Sequence, residues 1–318
     1  MQVLPKIIVI VGPTGAGKTG IALTLAQEFN GEIVSADSRT IYKEMNVGTA
    51  KPPQDINQEG RIHGSIKDLF SQAPYMVQGI PHWGFDLIPP SQGYDVAQFA
   101  DFAQHTIKSI LDRGKLPIVV GGSGLYIQAI VDNPSFSQVK PNSRLREELN
   151  NVTLEQLQSR LAKIDPEAYG MIDIQNPRRL IRAIEVVEST GQPWSMQQTK
   201  EVPYVDALQI GIDIERSLLY KRIDERIDKM IAEGLVNEVR ILLKKYGADA
   251  PGMTGIGYRQ IVEFLEGRMS LRESILELKK DTRHYAKRQL TWFKRDVRIE
   301  WISSEVDAHN LIVNFLQQ

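Results

Sequence analysis

Five consecutive apolar residues, Ile7-Ile8-Val9-Ile10-Val11, lead without a break into Gly12-Pro13-Thr14-Gly15-Ala16-Gly17-Lys18-Thr19. A short continuous apolar run reads as a strand buried on both faces, the kind found in parallel sheets. The loop after it fits GxxxxGK(S/T) and stands where that pattern has meaning, between a buried strand and a helix that runs from about Gly17 to Phe29. Glycines let backbone N–H groups turn inward around phosphate oxygens, and the helix N-terminus adds partial positive charge. Lys18 supplies a point charge, and the Thr19 hydroxyl is placed to ligate Mg²⁺. The bland alternative is a glycine-rich turn that binds nothing.

Further strands are expected at 32–37, 83–88, 116–122, 207–214 and 299–303, with a helix over 96–113. Strands alternating with helices predict an α/β fold with a mostly parallel sheet. From Gly124 to about Val202 strand signals vanish and amphipathic pieces such as 153–164 and 178–190 take over. The expected organisation is therefore a core built from 1–123 and 203–318, interrupted by a helical insertion over 124–202. Long helices are expected over about 218–246 and 270–294. The chain has no cysteine, and its five histidines are scattered, which excludes a disulfide framework and a thiolate metal site. No apolar stretch approaches the roughly 20 residues of a membrane span, so a cytoplasmic protein is expected.

Hydrolytic P-loop proteins carry an acid at the end of a second apolar strand. Here the best candidate strand, 116–120, ends in Gly121-Gly122 instead. Another acid, Asp37, closes the strand at 32–37, and ends of parallel strands share one crevice. Asp37 reads either as a metal ligand or base beside the loop, or as a helix cap. The formal net charge of −1 hides local patches: residues 279–298 hold eight Lys or Arg against two Asp. On a helix this segment sets Leu278, Tyr285, Ala286, Trp292 and Phe293 against a stripe of Lys280, Arg283, Lys287 and Lys294. Arg144 and Arg146, and Arg178, Arg179 and Arg182 in the insertion, add further positive charge. Such stripes are either solvated faces or footprints for a phosphate backbone.

The ordered blocks GPTGAGKT (12–19), ADSRTIYKEMNVGTAKP (36–52), GGSGLYI (121–127), NPRRLIRAIEV (176–186), ERSLLYKRIDERIDKMIAEGLVNEV (215–239), GIGYRQ (255–260) and AKRQLTWFKR (286–295) span almost the whole chain. In them the chain resembles the tRNA dimethylallyltransferases of bacterial type. The resemblance implies a P-loop NTPase-like core and transfer of a dimethylallyl group from dimethylallyl diphosphate to N6 of the adenine 3′ of the anticodon. By it the loop residues Gly12, Pro13, Thr14, Gly15, Ala16, Gly17, Lys18 and Thr19 hold the donor diphosphate with Mg²⁺ on Thr19. Asp37 is the general base, and Arg216 and Arg222 assist the diphosphate. Contacts to tRNA fall on Asp37, Ser38, Arg39, Thr40, Ser123, Arg146, Arg178, Arg179, Arg182, Gly257, Tyr258, Arg259 and Gln260, and on Arg283, Lys287 and Arg288 of the basic helix. A monomer is expected. Rival readings are an adenylate isopentenyltransferase, an ATP-dependent small-molecule kinase, and a nucleotide-switched RNA-binding protein.

Overall fold

The computed structural model of the chain describes residues 4–55, 73–134, 139, 142–197 and 202–318. It divides into two compact units, 1–131 with 204–318 and 132–203.

The larger unit opens with β1 (Lys6–Val11), α1 (Lys18–Glu28), β2 (Gly31–Ala36), β3 (Tyr75–Val77), β4 (Ile80–Trp83), α2 (Val96–Asp112), β5 (Leu116–Gly121) and α3 (Gly124–Val131). The smaller holds α4 (Ser143–Asn150), α5 (Leu154–Ile164), α6 (Pro166–Met171) and α7 (Pro177–Thr190). The larger unit resumes with β6 (Asp206–Ile212), α8 (Arg216–Ala232), α9 (Leu235–Tyr246), α10 (Tyr258–Leu265), α11 (Leu271–Phe293), β7 (Ile299–Ile302) and α12 (Glu305–Gln317).

The strands form one sheet in the order β3-β4-β2-β5-β1-β6-β7, parallel except for the antiparallel β3. β1 is fully buried from Ile7 to Val11, as its unbroken apolar run requires. On one face Val9, Val34 and Val119 pack with Phe99, Ile107 and Ile127 of α2 and α3. The Phe99 and Tyr126 rings stack there at 3.9 Å between centroids. On the other face Ile8, Ile33 and Ile210 meet Ala22, Leu25 and Ala26 of α1 and Ile312 of α12. The register aligns Val11 with Gly121 and Gly211, and Ala36 with Gly121. Three chain segments therefore leave the sheet side by side: the glycine-rich loop, the turn at Asp37 and the turn at Gly122.

The smaller unit has its own core, with Leu149, Leu157, Leu161, Leu180, Ile181 and Ile184 packed between its helices. Its boundary lies at 131/132, not at 124. α3 belongs to the larger unit because Tyr126, Ile127, Ile130 and Val131 are buried against the sheet.

Two other expectations differ from the structure. No strand spans 83–88: β4 ends at Trp83, since Gly84 (φ 92°) and Asp86 (φ 54°) turn the chain, leaving only a bridge between Tyr42 and Ile88. The helix expected over 218–246 is two helices, broken at Gly234, whose φ of 101° suits a residue without Cβ.

Glycines at the sheet edge test this geometry. A Cβ on Gly121 would lie 2.1 Å from the Ala36 carbonyl oxygen, whereas one on Gly20, exposed on α1, would meet nothing within 4 Å. Gly121→Ala is therefore expected to lower the unfolding free energy by about 1–3 kcal/mol. Gly20→Ala is expected to raise it by about 0.5–1 kcal/mol. Denaturant titration of both variants measures the contrast.

Candidate active site

The loop between β1 and α1 takes the shape its glycines permit. Gly12, Gly15 and Gly17 have φ of 151°, 84° and 94°. Ala16 N–H donates to Pro13 O at 3.2 Å, closing the turn. Gly17 precedes α1 without any side-chain cap, so the first amides of that helix are left for a ligand. The Lys18 ammonium folds back to donate to Gly12 O (3.0 Å) and Pro13 O (2.8 Å). Its stem is partly exposed but its charge is desolvated, and burial lowers its pKa to about 8 against the opposing pull of Asp37. Thr19 is exposed in the first turn of the helix.

α8 lies along the loop. Side chains added at Gly15 would meet Ile223 and Leu219, and one at Gly17 would come within 3.9 Å of Arg222 Nη1. One turn further, Arg226 Nη1 donates to Thr14 Oγ1 at 3.3 Å. Burial lowers the Arg226 pKa, again opposed by Asp37. Arg226 escaped the sequence reading, although its spacing of four from Arg222 puts both on one helix face. Arg216 starts the same helix. It is exposed, with its guanidinium 5.1 Å from the Tyr220 ring and its Nε donating to the Tyr220 hydroxyl.

Asp37 follows β2. Its Oδ1 accepts Arg39 N–H at 2.8 Å, so it caps a turn and not a helix, and Oδ2 has no hydrogen bond among the described residues. Next to it, Ser38 N–H donates to Ser123 Oγ at 3.0 Å, and Ser123 N–H donates to Ala36 O at 3.2 Å. Tyr285 of α11 lies near Ser123, and burial together with the nearby Asp37 pushes its phenol up to about 12. The segment after Asp37 is pinned from two sides. Glu238 accepts the N–H groups of Asn46, Val47 and Gly48 and the Tyr258 hydroxyl. Buried Lys51 donates to Tyr42 O and Asp86 Oδ1, both at 2.6 Å.

Several residues expected to touch RNA have other employment. Thr40, Tyr258 and Gln260 are buried, at 7%, 1% and 3% exposure. Thr40 meets Ser35, Tyr258 meets Glu238, and Gln260 joins Gly257 N–H to Asp281. Gly257 (φ 99°) is buried too and shapes that turn. Arg259 is exposed but ion-paired with Asp281. Arg39 is half-buried and donates to Pro251 O at 3.3 Å. Arg283 is paired with Asp224 of α8 at 2.7 Å, which takes it out of a free basic stripe.

Within the smaller unit, Arg146 and Arg182 both clasp the fully buried Glu185. Burial alone would raise that carboxyl, but the arginine hydrogen bonds outweigh it and hold it below the ordinary range. Arg178 and Arg179 are exposed at the start of α7, with no ion pair among the described residues. His284, Lys287, Arg288, Thr291 and Trp292 of α11, with Arg295 just past its end, line a surface groove of about 480 Å³. Here cations and an aromatic ring alternate, a mixture suited to phosphates and bases together.

Residues 40–296 match the family model described as IPP transferase, and residues 5–65 match that of isopentenyl transferase. The chain belongs to the IPP transferase family. It is 42% identical over 308 residues to the tRNA dimethylallyltransferase of Carboxydothermus hydrogenoformans, covering 94% of this chain and 92% of that one. The corresponding enzyme of Geobacillus thermodenitrificans is 42% identical over 303 residues, covering 93% and 90%. The crystal structure of the Bacillus halodurans tRNA isopentenylpyrophosphate transferase superposes with a TM-score of 0.69 at 35% identity, covering 98% and 97%. A eukaryotic dimethylallyltransferase acting on tRNA superposes with a TM-score of 0.74 at 26% identity, covering 94% of this chain and 74% of its own. These family members share the P-loop NTPase-like fold expected for this chain. Among the described residues, no helix is long and apolar enough to cross a membrane.

The desolvated Lys18 makes anion binding pH-dependent. An anion favours the ammonium, so pyrophosphate affinity is expected to fall as pH rises through about 8, and binding above that pH takes up a proton. Calorimetry in buffers of different ionisation enthalpy measures the uptake. Lys18→Arg, whose cation does not titrate there, should lose this part of the pH dependence. Identical pH profiles for the two proteins would contradict the assignment.

Proposed function

We propose that this chain is a tRNA dimethylallyltransferase that alkylates N6 of the adenine 3′ of the anticodon, with the glycine-rich loop holding the diphosphate of dimethylallyl diphosphate. One observation supports it above the others: Asp37 and the cation-lined loop leave the same end of the sheet from β2 and β1, the two strands that flank β5, in a chain of the IPP transferase family.

The chemistry follows from the charges. The adenine amine attacks the prenyl carbon, an N–C bond forms, and the C–O bond breaks with its electron pair leaving on the diphosphate. Lys18, Arg222, Arg226 and the amides at the start of α1 stabilise that developing charge. Arg216 closes over the donor from the N-terminus of α8. Asp37 accepts the proton that the attacking nitrogen must lose, through the oxygen that does not cap its own turn.

Among the described residues no group of three His, Cys, Asp or Glu side chains could hold a metal by itself. A Mg²⁺ ion fits here in its usual way, through Thr19 and the donor's own phosphates. When bound, it neutralises charge on the leaving diphosphate.

The adenine reaches Asp37 flipped from a single-stranded loop, at little cost in stacking. The groove on α11 takes the RNA backbone through Lys287, Arg288 and Arg295. Ser38, Arg39 and Ser123 meet the RNA beside Asp37, and Arg178 and Arg179 of the smaller unit add backbone contacts. Arg146 and Arg182 act chiefly by shaping that unit around Glu185. The enzyme works as a monomer in the cytoplasm.

Asp37→Asn keeps shape and an acceptor but removes basicity, so single-turnover transfer to an anticodon stem-loop is expected to fall by ~10²–10⁴. RNA affinity should change by no more than about 0.5–1.5 kcal/mol. A normal rate would reduce Asp37 to a turn cap, and a parallel collapse of RNA binding would make it a recognition residue.

Replacing Lys287 and Arg288 by Ala is expected to flatten the salt dependence of RNA binding, by about 0.7 in the log–log slope for each lost phosphate contact. An unchanged slope would return that face to solvent.

A further inference from the structure

On α11, Tyr285, Gln289 and Trp292 follow one another at helical spacing and all meet the turn after β5. Tyr285 lies near Ser123, and the Trp292 indole stands where a Gly124 side chain would be. Gln289 reaches further. Its Nε2 donates to Gly122 O and its Oε1 accepts Thr14 N–H, each at 2.8 Å, and the residue is 5% exposed. A Cβ on Gly122 would lie 2.1 Å from Nε2, so the glycine makes room for this side chain.

Gln289 joins the two loops through its side chain, just beyond the last ladder pair, Val11 with Gly121. It needs a donor and an acceptor at the end of a chain of this length, and glutamine supplies both. Thr14 is thereby fixed twice, by Gln289 at its amide and by Arg226 at its hydroxyl. The next residues of the loop, Gly15 and Gly17 to Thr19, carry amides with no hydrogen bond among the described residues, while Ala16 N–H closes the turn on Pro13 O. A loop pre-shaped in this way gives up less conformational freedom when its anion arrives.

We propose that Gln289 is a positioning residue for the donor: it acts through the Thr14 amide to hold the diphosphate loop in its binding shape. This rests on the reading that the loop binds a diphosphate. It also means that the helix carrying the RNA-facing groove is fastened to the donor site through its opposite, buried face.

The test uses the full chain, Mg²⁺ and inorganic pyrophosphate, followed by calorimetry. Gln289→Met keeps the length but neither bond, and should bind pyrophosphate ~10-fold more weakly. Its affinity for an anticodon stem-loop should stay within about twofold of the original, since Gln289 touches loop and not groove. Gln289→Glu separates positioning from packing. As a carboxylate it opposes Gly122 O with a second acceptor and binds as poorly as the Met variant. Burial raises its pKa, and once protonated it regains a donor for Gly122 O while still accepting from Thr14. Its affinity relative to wild type should therefore recover as pH falls from about 8 to about 5.

Wild-type affinity in Gln289→Met, or a Gln289→Glu ratio that stays flat with pH, would overturn the inference. Should the Met variant fail to fold, the pH response of the Glu variant decides alone. Failure of the wild-type protein to bind pyrophosphate would instead overturn the donor reading, and this inference with it.

Discussion

The close approach of β2 and β5 at their C-terminal ends governs the site. The Ala36 carbonyl oxygen lies 2.1 Å from where a Cβ on Gly121 would stand, so no larger residue fits without moving a strand. From this approach follow the two bonds of Ser123, one to Ala36 and one to Ser38, which set the turn that carries Asp37. The second glycine, Gly122, leaves space for Gln289 to cross to the phosphate loop. A hydrolytic P-loop protein ends such a strand in an acid. Here the same position is given to contact between strands, and the acid stands one strand over, after β2.

Charge is arranged against the average of the chain. A protein of net charge −1 gathers Lys18, Arg222 and Arg226 at one loop. Burial lowers the pKa of both Lys18 and Arg226, a sign that their charges lack full solvation, and Asp37 is the acid that opposes it in each case. A bound diphosphate supplies the missing counter-charge. Positive groups fixed in advance favour the state in which negative charge has moved onto the leaving group, because they need no reorganisation when the bond breaks. Under the proposed function, the cations that bind the donor are the ones that assist its departure.

Much of this was legible in the sequence. Buried parallel strands announce themselves as apolar runs, and the phosphate loop carries its pattern in eight consecutive residues. Asp37 could be placed near the loop because the ends of parallel strands share one crevice. What stayed hidden depends on long-range packing: Arg226 and Gln289 stand 212 and 275 residues from the Thr14 they hold. Gln289 left one faint signal, a polar residue on the apolar face of a helix otherwise read for its lysines and arginines. Pairing was equally invisible. Nothing local shows that Arg283 is taken by Asp224 or that Arg146 and Arg182 share Glu185. The burial of Thr40, Tyr258 and Gln260 was likewise invisible in the sequence. The helix break at Gly234 and the early end of β4 turn on positive φ angles, which glycine permits but does not compel.

The central claim is that the loop serves a prenyl diphosphate and not a nucleoside triphosphate. The most direct measurement is the mass of an anticodon stem-loop RNA after incubation with the protein and Mg²⁺, offered either dimethylallyl diphosphate or ATP. The account predicts one added dimethylallyl group on a single adenine with the diphosphate alone and no change with ATP. Phosphorylated RNA, or transfer that proceeds only when ATP is supplied, would contradict it.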